Sequence, residues 1–373
     1  MKFYQLQLKL DLMKTLKKRY IAGAGILTAV ALASCSSEEV SSPEKYDPSQ
    51  ISFNVVASRG TRSDVTTTSN IKEFCVTAYT EGKLLMDNVL VTRDGTSWTY
   101  SPAAYWPDQP VNFYAVSPDI SDSPVIDSES TGTANINGYT NPGNIDLLYA
   151  VNIGEIQSGA PVNINFRHAL AKVNVLLSSA NTTINVKIKN VTIGNVYTKG
   201  SFSYPIKTTA AGSDVAGNWH NLSAMSDLAV FAATGTQGNV ALTAEPVDLG
   251  ESNASGSLDF ILPQELGKLT YDASNKAFTG TYIAVDCEIY DKTTGGKLFP
   301  NTQTPSYLLA GDTGCGRILY PVTNSTVTEW KAGYSYVYKI AIDNPSVLFD
   351  GIQFGVTVDE MQSDSAIEYP SIK

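Results

Sequence analysis

Two histidines, His168 and His220, are all that this chain of 373 residues contains. Neither has a cysteine or carboxylate at metal-ligand spacing, so the sequence predicts no metal site and no cofactor. Asp312-Thr313-Gly314 has the triplet of an aspartic protease, but that chemistry needs two carboxylates sharing a proton, and no second triplet exists. No glycine-rich phosphate cradle is present either. These gaps leave no predicted catalytic residues. Charged residues are only 17%, and acidic ones outnumber basic ones to give a net charge of −10, which repels nucleic acid. No segment holds a helical period over 15 residues, so long helices are excluded. The apolar run Ile21 to Ala33 falls short of the about 20 residues that span a bilayer.

That short run has a different meaning at its position. Lys14, Lys17, Lys18 and Arg19 precede it, which is the charge-then-apolar order of a secretory signal. Leu32-Ala33-Ser34-Cys35 closes it and resembles a bacterial lipobox, which implies cleavage before Cys35 and lipidation of its thiol. Residues 1–12 add nothing to this pattern, and Met13 is an alternative start. Ser36-Ser37-Glu38-Glu39 resembles an acidic export tag for the outer face of the outer membrane, or is a solvated linker. Removal of residues 1–34 leaves 20 Lys and Arg against 35 Asp and Glu, a charge of −15. Three cysteines then remain, an odd number that builds no disulfide framework. Cys75 and Cys287 sit in alternating runs and read as buried thiols; a Cys287–Cys315 bridge is the alternative.

The body of the chain is rich in Tyr, Thr, Ser, Asn and Gly, the balance of strands and turns. Residues 35–50, with Pro43 and Pro48, read as a polar tether. Ile51-Ser52-Phe53-Asn54-Val55 alternates, placing Ile51, Phe53 and Val55 on one face. Arg59 and Arg62 follow in a polar stretch. Short strands are expected at 71–79, 83–91, 97–100 and 111–116. A surface loop with a small hairpin at Asn137-Gly138 is expected over 117–144. Strands resume at 162–166, 171–177, 183–188 and 191–197. A Thr/Ala/Gly-rich stretch near 205–218 places a boundary between an N-terminal domain, 51–205, and a C-terminal domain, 206–373. In the second half, Ile283, Val285, Cys287 and Ile289 alternate, Tyr334 to Ile342 alternates, and Val347 to Val358 supplies the last pairing. Regularly spaced short strands of this kind predict an all-β fold of two tandem β-sandwich domains.

Four stretches, in order, carry a family resemblance. They are Ala104-Tyr105-Trp106-Pro107 with Val111 to Pro118; Asp146 to Ala150 with Val162 to Val173; Ile261 to Gln264; and Trp330 to Tyr336. Behind a lipobox, they resemble the fimbrillins, the subunits of surface pili. The resemblance implies sandwiches of transthyretin-like topology. It implies an outer-membrane lipoprotein at the cell surface that polymerises with other fimbrial subunits. A trypsin-like, arginine-specific protease would cut at Arg59 or Arg62, freeing the strand of Ile51, Phe53 and Val55 for replacement by a neighbour's. One departure is Asp359-Glu360-Met361, where many relatives carry a Trp after the final strand.

Other readings stay open at this stage. Arg59 and Arg62 could be plain loop charges beside an ordinary first strand. Asp119, Asp122, Asp127 and Glu129 crowd one loop without the spacing of a calcium hand. Trp98, Tyr105 and Trp106 could stack on sugars, or pack a core. The alternative function is a surface lipoprotein that binds a glycan or host protein and never polymerises.

Overall fold

A computed structural model describes residues 47–57, 71–120, 134–205, 217–233, 240–249, 260–311, 314–344 and 355–360. Every regular element among them is extended apart from one 3₁₀ turn, Ser306–Leu308, so the fold is all-β as expected. Its strands are β1 (Phe53–Ala57), β2 (Glu73–Thr80), β3 (Lys83–Asp94), β4 (Ser97–Tyr100), β5 (Val111–Ser117), β6 (Asn135–Thr140), β7 (Leu148–Glu155) and β8 (Val162–His168). They continue as β9 (Ala171–Ser178), β10 (Ile184–Ser203), β11 (Asn218–Ala232), β12 (Val240–Ala241), β13 (Val247–Asp248), β14 (Phe260–Ile261), β15 (Gln264–Glu265) and β16 (Thr270–Asp272). The last are β17 (Ala277–Thr279), β18 (Tyr282–Asp291), β19 (Lys297–Phe299), β20 (Gly316–Pro321), β21 (Glu329–Trp330), β22 (Tyr334–Ala341) and β23 (Gly355–Glu360).

The first sheet has the order β1-β8-β7-β5-β2-β3-β4. Its central strands β2 and β5 are buried on both faces, whereas β3 and β4 are largely exposed. On β5, Val111, Phe113 and Ala115 face one core, and Tyr114 and Val116 face another. The first core holds Ile51, Phe53, Phe74, Val76, Phe113, Ile164 and Phe166. The sheet curls around it until the residues before β1 meet the segment after β4. Gln50 bridges Tyr105 there, the Ile51 N–H donates to the Ala104 carbonyl at 2.9 Å, and the Trp106 N–H donates to the Ser49 carbonyl at 2.9 Å.

The opposite face of the same sheet packs on Ile136 and Tyr139 of β6, Phe202 of β10, Tyr204 and Trp219 of β11. Here the structure corrects the expected loop over 117–144. Residues 135–140 form no hairpin of their own; they pair antiparallel with the second half of β10. Ile136 and Tyr139 are buried, which holds the strand against the sheet despite its Asn and Gly content. The expected strands at 183–188 and 191–197 are also one strand, β10, continuous over 20 residues with register shifts against its neighbours.

The third core lies between a sheet of β11-β10-β18-β19, with β20 on β18, and a sheet of β13-β9-β22-β23. Val186, Ile188 and Val191 of β10 meet Val285, Cys287 and Ile289 of β18, and Val173 and Val175 of β9 meet Tyr336 and Tyr338 of β22. β10 thus serves this core with its first half and the preceding one through Phe202. Cys75, Cys287 and Cys315 are all buried thiols, so the alternative Cys287–Cys315 bridge is not formed.

Candidate functional site: the seat of the first strand

β1 forms because Ile51, Phe53 and Val55 can face a core while Ser52 and Asn54 face outward. Ile51 is fully buried and Phe53 nearly so, whereas Asn54 is exposed. The strand runs parallel to β8, with Phe53 opposite Val162 and Val55 opposite Ile164. The Val162 N–H donates to the Ser52 carbonyl at 2.8 Å. On the outer surface Asn54 Nδ2 donates to Asn163 Oδ1 at 3.0 Å. Just upstream, Gln157 Nε2 donates to the Pro48 carbonyl at 2.8 Å.

The Phe53 ring stands among aromatic rings. Its centroid is 5.5 Å from Tyr100, 5.8 Å from Phe113 and 6.0 Å from Phe74, the last two edge-on. The Tyr100 hydroxyl donates to the Ile51 carbonyl at 2.7 Å, fixing the strand at its buried start. Burial raises the Tyr100 pKa, so the hydroxyl keeps its proton and stays a donor. Fully burying two side chains of the size of Ile51 and Phe53 contributes about 3–6 kcal/mol before ordering costs.

Tyr100, Phe74 and Phe113 were not among the residues singled out from sequence. Their signal is an aromatic at inward positions of β2, β4 and β5, which locates a core without saying which strand fills it. Trp98 and Trp106 take the packing role rather than an open sugar platform. Trp98 lies 5.1 Å from Phe74 and Trp106 lies 5.8 Å from Phe113, while Tyr105 is 52% exposed. His168 is buried, with Nδ1 2.8 Å from Asp146 Oδ1, and His220 Nε2 lies 3.0 Å from Ser203 Oγ. Among the described residues no group of three His, Cys, Asp or Glu could hold a metal, and no helix is long and apolar enough to cross a membrane. Cys35, Arg59, Arg62, Asp122, Asp127, Glu129 and the Asp312-Thr313 pair lie outside the described residues.

The sequence profile of the fimbrillin-like family matches residues 55–360, from within β1 to the last residue of β23. The chain belongs to the fimbrillin-like family. Its fold is similar to that of a fimbrial protein from Bacteroides vulgatus, at 15% identity and a TM-score of 0.52, over 84% of this chain and 99% of that one. A cell adhesion protein from Bacteroides uniformis aligns at 14% identity and a TM-score of 0.45, over 84% of this chain and 100% of that one. The tip fimbrial protein Mfa3 from Porphyromonas gingivalis aligns at 10% identity and a TM-score of 0.36, over 78% and 94%. No curated protein matches significantly.

Proposed function

We propose that this protein is a structural subunit of a cell-surface fimbria. In this reading it is exported as an outer-membrane lipoprotein anchored through Cys35, cut at Arg59 or Arg62 by a trypsin-like protease, and polymerised by strand exchange. The N-terminal half, 51–205, carries the seat of β1, and the C-terminal half, 206–373, carries the strand that a subunit donates; β9 and the first part of β10, though within 51–205, pack in the core of the second half. The observation that carries the reading is the way β1 is held. It fills an aromatic-lined core as a separate strand, with β8 on one side and the segment after β4 on the other. The two arginines follow it immediately. Membership of the fimbrillin-like family and the fold shared with the fimbrial protein from Bacteroides vulgatus support the same reading.

The physics is that of strand addition. Loss of β1 would open an apolar groove with unpaired backbone on β8, and an incoming strand would supply both main-chain bonds and alternating side chains. Cutting alone would not free β1, because its ladder and its buried rings persist. A neighbour's strand must offer comparable burial. The C-terminal region from Val347 onward is the donor in this proposal.

The test is export and assembly of an Arg59→Ala, Arg62→Ala double variant. It should appear at the surface as a folded monomer and form no filaments visible by electron microscopy or as ladders on unboiled gels. Wild-type filaments from that variant would favour the second reading, a monomeric surface lipoprotein that binds a glycan or host protein. The stack of half-buried Tyr271 on exposed Tyr307, with centroids 4.3 Å apart, gives that reading its surface.

A further inference from the structure

We infer that the chain between β8 and β9 is a clamp that joins the first sheet and the C-terminal sandwich into one cooperative unit. The inference does not rest on strand exchange. Ala169 and Leu170 alone carry the chain from the sheet of β8 to the sheet of β9. A link between two bodies is ordinarily exposed, rich in glycine, proline or polar residues, and crossed by few contacts. This link has neither glycine nor proline, and both of its residues are fully buried. Phe166 lies in the first core. Ala169 and Leu170 lie in the second, on the opposite face of the first sheet, and Ala171 and Val173 lie in the third. The chain thus passes through all three cores between Phe166 and Val173.

The backbone of the link is held from both sides. The Ala169 N–H donates to the Leu147 carbonyl, just before β7, at 2.8 Å. The Ala169 carbonyl accepts the indole N–H of Trp219, on β11, at 2.6 Å. The Leu170 carbonyl accepts the Gly333 N–H, just before β22, at 2.9 Å. Beside Leu147, Asp146 Oδ1 lies 2.8 Å from Nδ1 of His168, the last residue of β8. A second tie crosses next to the link. Asn141 Nδ2 donates to the Phe260 carbonyl at 2.8 Å, and the Phe260 N–H donates to the Gly143 carbonyl at 2.9 Å. Phe260 is the β14 residue opposite Lys172 of β9.

Burial decides how this joint can fail. Asn141, Asp146, His168 and Trp219 are each at most 8% exposed. A buried polar group that loses its partner without reaching water is costly. Swinging one body away from the other would strand several such groups at once. It would also part the second core, where Tyr149 of β7 packs on Phe202 of β10 with centroids 4.7 Å apart. Partial opening is therefore unfavourable, and the two bodies open together. Tension applied along β8 meets no slack before it reaches β9 and its parallel partner β22.

Two native thiols report on the two bodies, Cys75 of β2 and Cys287 of β18, both buried. Uncut protein is pulse-alkylated across a guanidinium series, and modification of each cysteine is read by mass spectrometry. The two midpoints should agree to within about 0.3 M, and a wider separation would overturn the clamp. Asp286→Ala, on β18 away from the joint, should lower both midpoints together; movement of the Cys287 midpoint alone would also overturn it. Asp146→Asn combined with Trp219→Phe removes a carboxylate and an indole N–H at the joint. That double variant should separate the midpoints beyond the same limit. If it does not fold, Trp219→Phe alone carries this arm. Midpoints that stay together in the folded joint variant would show that these bonds are ordinary buried contacts, and the clamp would fall.

Discussion

The N-terminal and C-terminal halves solve the same problem, how to close a β core, in different ways. The curled sheet β1-β8-β7-β5-β2-β3-β4 closes with its own first strand, parallel to β8 and anchored by aromatic rings. The third core closes with two sheets and interleaved aliphatic and tyrosine side chains, and its last strand lies at an edge with one partner. Parallel pairing is slightly weaker per residue than antiparallel, so β1 depends more on what it buries than on its ladder. A strand held by side chains can be replaced by any strand that carries matching side chains. Among the described residues the edge strand β23 pairs with β22 alone. Under the proposed assembly, one half would receive a strand and the other would give one.

If that contrast is right, Phe53→Ala in uncut protein should be the most damaging substitution considered for either half. It removes a ring at contact distance from three others and leaves a cavity the curled sheet cannot easily collapse. A loss of about 3–4 kcal/mol is expected by denaturant unfolding. A loss below about 1 kcal/mol would mean that the seat is not built around Phe53.

The C-terminal half answers with a charge rather than a ring. Asp286 is buried on the outer face of β18 and accepts from Arg317 Nε at 2.7 Å and Nη2 at 2.9 Å. The carboxylate holds the Arg317 pKa above its ordinary value. Asp286→Ala should cost about 2 kcal/mol, less than a fully buried pair would, because a third of the Arg317 side chain is in water. Strand exchange should be unaffected, since this pair is remote in sequence and sheet from the seat. Loss of filaments from Asp286→Ala protein that still folds and is cleaved would break the proposed division of labour.

Tyr100→Phe sharpens the account of the seat. It deletes the hydroxyl that donates to Ile51 and leaves the ring against Phe53. The expected loss is about 1 kcal/mol in the uncut protein. The released carbonyl should also make β1 easier to displace, seen as faster filament growth after cleavage.

Much of this was legible in the sequence. Short strand-like runs between turn residues gave β2 to β5, and two-residue alternation gave β18, because turn residues mark their ends. Ile51, Phe53 and Val55 were readable as one face. What alternation could not give was the partner. Nothing local in Ile51 to Val55 says that the strand pairs parallel with residues 109 positions later, or that Gln50 reaches Tyr105. β6 was missed because Asn135, Asn137 and Gly138 carry the composition of a turn, while its burial comes from Phe202 and Trp219 far along the chain. Long-range packing outweighed local propensity there.

The smallest expected difference concerns the two halves' thiols. Cys75 backs the N-terminal sheet, and burial, with the hydrogen bond its thiol donates to the Asp119 carboxylate, pushes its pKa from 9.0 up to about 12. Cys287 lies in the third core, and burial raises it further still. At pH 7 both thiols are protonated whether the chain is folded or not, so they leave stability unchanged. Above pH 9 the unfolded chain releases these protons while the folded one keeps them. Stability therefore falls as pH rises from about 9 toward the folded values. At pH 9.5 each thiol should lower stability by under about 1 kcal/mol relative to pH 7, a part that Cys75→Ala or Cys287→Ala removes. Melting curves of the two variants and wild type at both pH values measure it. Alkylation at pH 8 should leave both thiols unmodified in the folded protein and mark both after denaturation. Modification of Cys75 alone in the folded state would show that the N-terminal sheet opens where the C-terminal core does not, as a body that must exchange a strand would.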